Sequence, residues 1–351
     1  MTKHIIIYIQ AYNAEKTLNR AIDSILRQTY SNFSLYVLDN GSLDTTRTVI
    51  MNYAAKDNRI IPITRDTNHL FDKDKILPLF PFIGQILNQY DSSCYFVNLD
   101  ADDEYSKDFL EKMLNFVSKN NLDIATCGTD WIDVNSGKTI NHKVLDDNII
   151  LEDQDFAEMF PIYRNFMVTV WGAVYSLRLL QKCDFRWSRN AKYFSDTAFC
   201  MEAFRRAKRA GVLAESLHRY YILPKTVSNQ FNSDWFQVCK YLHKITTEYL
   251  LDYGEISKKN EDYLYVLFLI LIKYILPRIQ NAEVGLLEKL KCINEIFTDK
   301  MTQHILKYWH EVGIYSDKEE FLRDIHEWIK SQDGWEKECS TVEKIASFMN
   351  I

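Results

Sequence analysis

Tyr95-Phe96-Val97-Asn98-Leu99-Asp100-Ala101-Asp102-Asp103-Glu104 reads as a buried strand that runs straight into acid. Four carboxylates fall within five residues, Asp100 to Glu104. Crowded like charges raise one another's pKa unless a cation is present, so the arrangement is costly without one. Hard divalent ions such as Mg²⁺ and Mn²⁺ take oxygen ligands, and Mg²⁺ in particular is held by one or two carboxylates together with substrate phosphates. The stretch therefore predicts a divalent metal and a phosphate-bearing substrate. The alternative is a solvated acidic loop capping the next helix.

The flanking residues place this loop in a sheet. His4 to Gln10, Phe33 to Asp39 and Ile60 to Thr64 read as further strands, and Asp123 to Gly128 as another. Helix-periodic stretches lie between them: Leu18, Ala21, Ile22, Ile25 and Leu26 share one face, and Lys107 to Asn120 forms a second helix. Strands alternating with helices predict an α/β fold with a mostly parallel or mixed sheet. Open sheets of this kind put their ligand crevice at the carboxyl ends of the strands. There the chain carries Gln10-Ala11-Tyr12-Asn13 after the first strand and Leu38-Asp39-Asn40-Gly41-Ser42 after the second. An aromatic ring packs on a base or a sugar, and Asp39 or Asn40 hydrogen-bonds a base edge or ribose, so together the loops make a nucleoside pocket; singly, each reads equally well as an ordinary turn. Asp44 is expected at the N-cap of the next helix. The stretch Asn68 to Tyr90, broken by Pro78 and Pro81, has no clear periodicity.

Composition excludes other classes. With 42 Lys and Arg against 48 Asp and Glu the net charge is −6, which argues against a general grip on nucleic acid. Ten Gly, six Pro and 47% apolar residues exclude fibrous and disordered chains. Seven scattered cysteines without CxxC read as thiols of a reducing compartment, and the eight histidines show no HxxxH or HExxH spacing. The apolar run near the N-terminus is too short for a signal-peptide core, and the longest run, Tyr263 to Ile272, has ten residues where a membrane helix needs about 20. The expectation is a cytoplasmic protein without a membrane span, with room for peripheral contact at the inner membrane face. From about Ser233 the pattern becomes helical throughout, with Trp235, Val238, Leu242, Ile245 and Tyr249 on one face.

Taken in order, the phrases IIIYIQAYNAEKTLNRAIDSILRQTYSNFSLYVLDNGSLDTT, YFVNLDADDEYSKDFLEKM, DIATCGTDWIDVNSGK, VWGAVYSLRLL and KYFSDTAFCMEAF resemble family 2 glycosyltransferases of the inverting GT-A type, over about residues 3–230. The resemblance implies a Rossmann-like nucleotide-sugar-binding domain over 1–232, with a nucleotide and metal half to about 128 and an acceptor half from 129. An all-helical extension over 233–351 would serve assembly, as a homo-oligomer, or acceptor positioning. It implies a nucleotide-diphosphate sugar donor, usually a UDP-sugar, with Mn²⁺ or Mg²⁺ at the Asp-x-Asp. Carried over by position, Ala11 and Tyr12 line the base, Asp39 and Asn40 contact base or ribose, and Asp100 with Ala101 faces ribose or sugar. Asp102, with Asp100, holds the metal, and Asp196 is the catalytic base. Trp171, Gly172 and Asp103 fall near the acceptor or donor sugar, and His218 or Lys225 falls where a mobile loop clamps the diphosphate.

The sequence also departs from the family's phrases. Gln10-Ala11 stands for Pro-Thr, Asn40 for an Asp, Ser195 for an acid, Ala173 for a common Lys, and HLFDKDKILPLFPF for a phrase containing Ala-Arg-Asn. The acceptor implied is a growing glycan on a lipid carrier, a cell-surface polymer or a glycoprotein. Two other readings use the same residues: a metal-dependent nucleotidyl- or phosphotransferase, which needs no base at Asp196, and a catalytically silent scaffold.

Overall fold

The computed structural model describes residues 3–68, 79–185, 195–223, 231, 233–307 and the single positions 323, 327, 330 and 331. It divides into two compact units, Met1–Pro224 and Lys225–Ile351.

The first unit is built on a ten-stranded sheet. Strands β1 (Ile5–Ala11), β2 (Phe33–Asn40), β3 (Ile60–Arg65) and β4 (Tyr95–Asp100) lie in the order β3-β2-β1-β4, all parallel. Burial on both faces explains why β1 reads Ile-Ile-Ile-Tyr-Ile rather than alternating apolar with polar. The order continues through β9 (Ala173–Ser176), β6 (Ile124–Asp133), β10 (Arg209–Ile222) and the two-residue β5 (Glu104–Tyr105). Strands β6 and β10 run parallel to each other, while β9 and β5 pair antiparallel with their neighbours. The edge pieces β7 (Thr139–Lys143) and β8 (Ile149–Glu152) pair with β6 and β10.

Helices cover both faces. On one, α1 (Leu18–Leu26), α2 (Thr46–Ala54) and α4 (Phe109–Asn120) pack Ile22, Ile50 and Met113 against Ile7, Val37 and Leu99. On the other, α3 (Leu79–Gln89) sets Phe82 against Tyr8 with ring centroids 4.3 Å apart. There too, the longer helix α8 (Ser195–Arg206) sets Phe199 edge-on to Tyr175. Short turns of helix, α5 (Asp155–Glu158), α6 (Phe160–Tyr163) and α7 (Leu177–Leu180), join the later strands. The chain leaves β1 toward β2 on one side and meets β4 on the other, so the strand order reverses between β1 and β4. That switch point is where open α/β sheets form their crevice.

Several elements differ from the sequence expectation. Beyond α8, which ends at Arg206, residues 209–222 form β10, a 14-residue strand that was not among those read from the sequence. Its polar interior, Glu215, Ser216 and His218, hides the strand in sequence; register shifts between Leu213 and His218 absorb the irregularity as bulges. The stretch without periodicity contains α3. Asp44 is not the N-cap residue of α2, which is Thr45, but its carboxylate still accepts the Thr46 N–H at 2.9 Å from one position earlier.

The second unit contains α9 (Trp235–Leu251), α10 (Lys258–Gln280), α11 (Leu286–Thr298) and α12 (Lys300–Lys307), around a core of Trp235, Phe268, Ile293 and Phe297. Of the run Tyr263 to Ile272, Leu264, Val266, Leu267, Phe268, Leu269 and Ile272 are buried and Ile270 is exposed. No helix among the described residues is long and apolar enough to cross a membrane.

Candidate active site

Strand register brings the predicted loops together. Ala11 is opposite Asp39, and Gln10 is opposite Asp100, so the ends of β2, β1 and β4 lie side by side. The first two loops are stitched by short bonds. Asn13, at φ +49°, donates its N–H to Ser42 Oγ (3.0 Å) and accepts the Leu43 N–H at Oδ1 (2.8 Å). Ala14 N–H reaches Thr46 Oγ1 at 2.8 Å. Tyr12 is left half-buried at the junction.

Asp39 and Asn40 are fully buried. The Asp39 carboxylate accepts the Ser42 N–H at 2.9 Å and pairs with Arg47 Nε at 2.7 Å. Asn40 donates to Asn68 Oδ1 at 2.9 Å. Gly41 turns at φ +77°, and a Cβ there would come within 2.5 Å of the Thr67 carbonyl carbon, so only glycine fits.

The four carboxylates of the acidic loop separate into a triad and an outlier. Asp100, Asp102 and Asp103 offer ligand oxygens that all lie within 4.8 Å of one another. Glu104 is engaged elsewhere, with Arg219 and the Tyr221 hydroxyl, each at 2.9 Å. Burial pushes Asp100 well above the carboxylate range, and the charges of Asp103, Asp196 and Asp102 add to the shift. Burial and the Asp102 charge push Asp103 well up too, and burial raises Asp102. Asp103 Oδ2 is buried without a hydrogen-bond donor, its nearest partner being His218 Nε2 at 3.3 Å. Three converging oxygens with an orphaned lone pair among them fit a hard divalent cation. Ala101 between them is buried.

Asp196 lies in the first turn of α8, close enough for its charge to act on Asp100. Burial raises its pKa to about 6, held down in part by hydrogen bonds from Ser195 and the Val170 N–H. Next to Val170, Trp171 stacks on His218 at 4.3 Å and on Tyr220 at 5.6 Å. Gly172, at φ +69°, donates its N–H to the Tyr105 hydroxyl at 2.8 Å.

His218 departs from its expected place. It is a fully buried residue of β10, and burial with the nearby Lys143 charge lowers its pKa to about 3. A neutral strand residue offers a diphosphate no charge, so it is not a loop cation. Lys225 lies outside the described residues. Sequence reasoning passed over Arg20, Arg47 and Tyr221. Arg47 carried a faint signal, a cation in the first turn of the helix that follows Asp39; Arg20 and Tyr221 carried none.

A mixed sheet with helices on both faces, a switch-point crevice and a carboxylate triad at its mouth defines a GT-A glycosyltransferase fold. TarS from S. aureus shows the same fold: its 1–349 structure matches with TM-score 0.61 at 16% identity, over 99% of this chain and 90% of that one. A longer TarS structure matches with TM-score 0.57 at 18% identity, over 89% of this chain, which spans only 53% of it. TarS 1–349 in complex with UDP-GlcNAc matches with TM-score 0.56 at 16% identity, over 87% and 84% of the two chains. An uncharacterized glycosyltransferase of Haemophilus influenzae is 25% identical over 334 residues, 86% of this chain and 94% of that protein. Residues 6–73 and 85–180 match the family model described as glycosyl transferase family 2. Over those residues, just under half of its length, the chain is similar to family 2, and it is a glycosyltransferase.

Proposed function

We propose that this enzyme moves a hexose or related sugar from a UDP-sugar to a hydroxyl of a growing glycan, with inversion at the anomeric carbon. One observation carries the reading: a carboxylate triad suited to a divalent cation and a separate, half-buried carboxylate, Asp196, meet at the switch point, near enough for their charges to couple. A donor sugar joined to a diphosphate needs its leaving group stabilised at one end and a base for the incoming alcohol at the other. The UDP-GlcNAc complex of TarS supports a uridine diphosphate donor.

In this reading Ala11, Tyr12, Asp39 and Asn40 bind the nucleoside, and Asp100 orients the ribose side. Asp102, with Asp100, would hold Mn²⁺ or Mg²⁺. When bound, the metal supplies positive charge for the departing diphosphate. Asp196 takes the proton of the acceptor hydroxyl as its oxygen bonds to the anomeric carbon and the bond to the diphosphate oxygen breaks, the electron pair leaving with UDP. A pKa near 6 leaves Asp196 ionised at neutral pH yet more basic than an ordinary carboxylate, which suits a general base. Trp171 and Gly172 wall the sugar side, and Lys225 is the remaining choice for a phosphate clamp. The helical second unit serves assembly or acceptor positioning.

The test is a panel of nucleotide sugars with Mn²⁺ and glycan acceptors, following nucleotide release. Turnover with a UDP-sugar supports the reading. Binding without turnover favours the scaffold, and transfer of a nucleotidyl group favours the phosphotransfer reading.

A further inference from the structure

The acidic loop is anchored at both ends by the sheet, since Asp100 ends β4 and Glu104 opens β5, which pairs with β10. What holds its middle comes from two distant elements. Arg20, on α1, donates from Nη2 to the Asp102 carbonyl, and its guanidinium lies 3.4 Å from the ring centroid of Tyr221 on β10. Tyr221 gives its N–H to Asp103 Oδ1 and its hydroxyl to Glu104 Oε1, both at 2.9 Å. Tyr221 thus fixes two of the loop's carboxylates, Arg20 fixes the peptide that leads into them, and each holds the other in place.

Two details point away from simple stabilisation. Arg20 Nε is buried without a hydrogen-bond partner, a cost that a residue kept only for stability would not carry. And the Arg20 bond goes to the carbonyl of Asp102 rather than to its carboxylate, which no other described residue hydrogen-bonds. A guanidinium on the carboxylate itself would compete with a metal; on the carbonyl it orients the residue and leaves the ligand oxygens open.

We propose that Arg20 and Tyr221 are positioning residues, a clamp that aims the Asp102 and Asp103 carboxylates at one divalent cation. The proposal rests on the reading of the triad as a metal site. Its signature separates it from plain electrostatics. Removing a positive charge beside a cation site should tighten cation binding, whereas removing a clamp should loosen it.

The experiment titrates the full-length protein with Mn²⁺ alone and counts free Mn²⁺ by electron paramagnetic resonance. Arg20→Gln is expected to weaken Mn²⁺ binding by about tenfold or more, the usual effect of losing a partner that orients a metal ligand. Arg20→Lys, which keeps the charge and a donor for the carbonyl, is expected to recover part of the loss. Tyr221→Leu, which changes no charge and keeps the backbone N–H, is expected to weaken binding in the same direction and remains informative if Arg20→Gln fails to fold. Unchanged or tighter Mn²⁺ binding in Arg20→Gln or Tyr221→Leu, with native circular dichroism, overturns the clamp. A wild-type protein that takes up no Mn²⁺ overturns the metal reading itself, and the clamp with it.

Discussion

Asp39 and Arg47 form an ion pair at 2.7 Å in which the carboxylate is fully buried and the guanidinium nearly half exposed, at 45%. The second carboxylate oxygen takes the Ser42 N–H, so the charge of Asp39 is matched within the protein before any ligand arrives. Its first task is to hold the turn that carries Asn40 and Gly41. Arg47→Met would leave a buried carboxylate with half its partners. The expected loss is about 1–3 kcal/mol, the cost of an unsatisfied buried acceptor, read as a lower urea midpoint with an unchanged slope.

Gly41→Ala tests the same turn from the backbone side. The added Cβ meets the Thr67 backbone at 2.5 Å in a left-handed conformation, so it must displace either the turn or the Thr67–Asn68 strand exit. Destabilisation of about 1–3 kcal/mol is expected in chemical denaturation, together with weaker UDP binding by calorimetry.

Asp196→Asn is expected to lower the transfer rate by about 10²–10⁴-fold, the usual contribution of a general base, while UDP affinity in the presence of Mn²⁺ stays near the wild-type value. The wild-type kcat/KM should fall tenfold per pH unit on the acid side of an inflection at or below about 6, because the base works only when ionised and a bound cation draws its pKa down from about 6. A profile that stays flat down to about pH 4, the ordinary carboxylate value, would remove Asp196 from the role.

The triad predicts how metal and pH combine. Asp100, Asp102 and Asp103 have pKa values raised above the ordinary carboxylate value, so their protonated forms are favoured in the folded state. A group of that kind contributes stability below its unfolded pKa of about 4 and loses it as pH rises through the folded pKa. Metal-free protein should therefore lose stability from these groups as pH climbs from about 4 toward neutrality. Mn²⁺ should restore it there and have a smaller effect toward acid pH, where protons compete for the same oxygens. Thermal melts with and without Mn²⁺ across pH 5 to 8 check this.

Much of this was legible in the sequence because the signals were local. The apolar run of β1 and the acid after Leu99 announce a buried strand ending at a charged loop, and the α1 stripe marks the helix between strands. What escaped notice depends on contacts distant in sequence. Tyr221 meets Asp103 across 118 positions, and Arg20 meets Asp102 across 82. His218 misled for the opposite reason: beside Arg219 and Tyr220 it reads as a polar surface residue. Only the sheet shows that β10 is interior there and that Trp171 covers the ring. By residue type and spacing alone the four carboxylates look equivalent, and the cross-strand partners Arg219 and Tyr221 are what hold Glu104 apart from the other three.

The central claim is that the Asp100, Asp102 and Asp103 oxygens gather one divalent cation against the diphosphate of a nucleotide sugar. A crystal grown with UDP and Mn²⁺, measured at the manganese absorption edge, tests it directly. The account predicts a single anomalous peak within coordination distance of Asp102 and of a UDP phosphate. UDP bound with no peak at the triad, or manganese bound elsewhere, would contradict it.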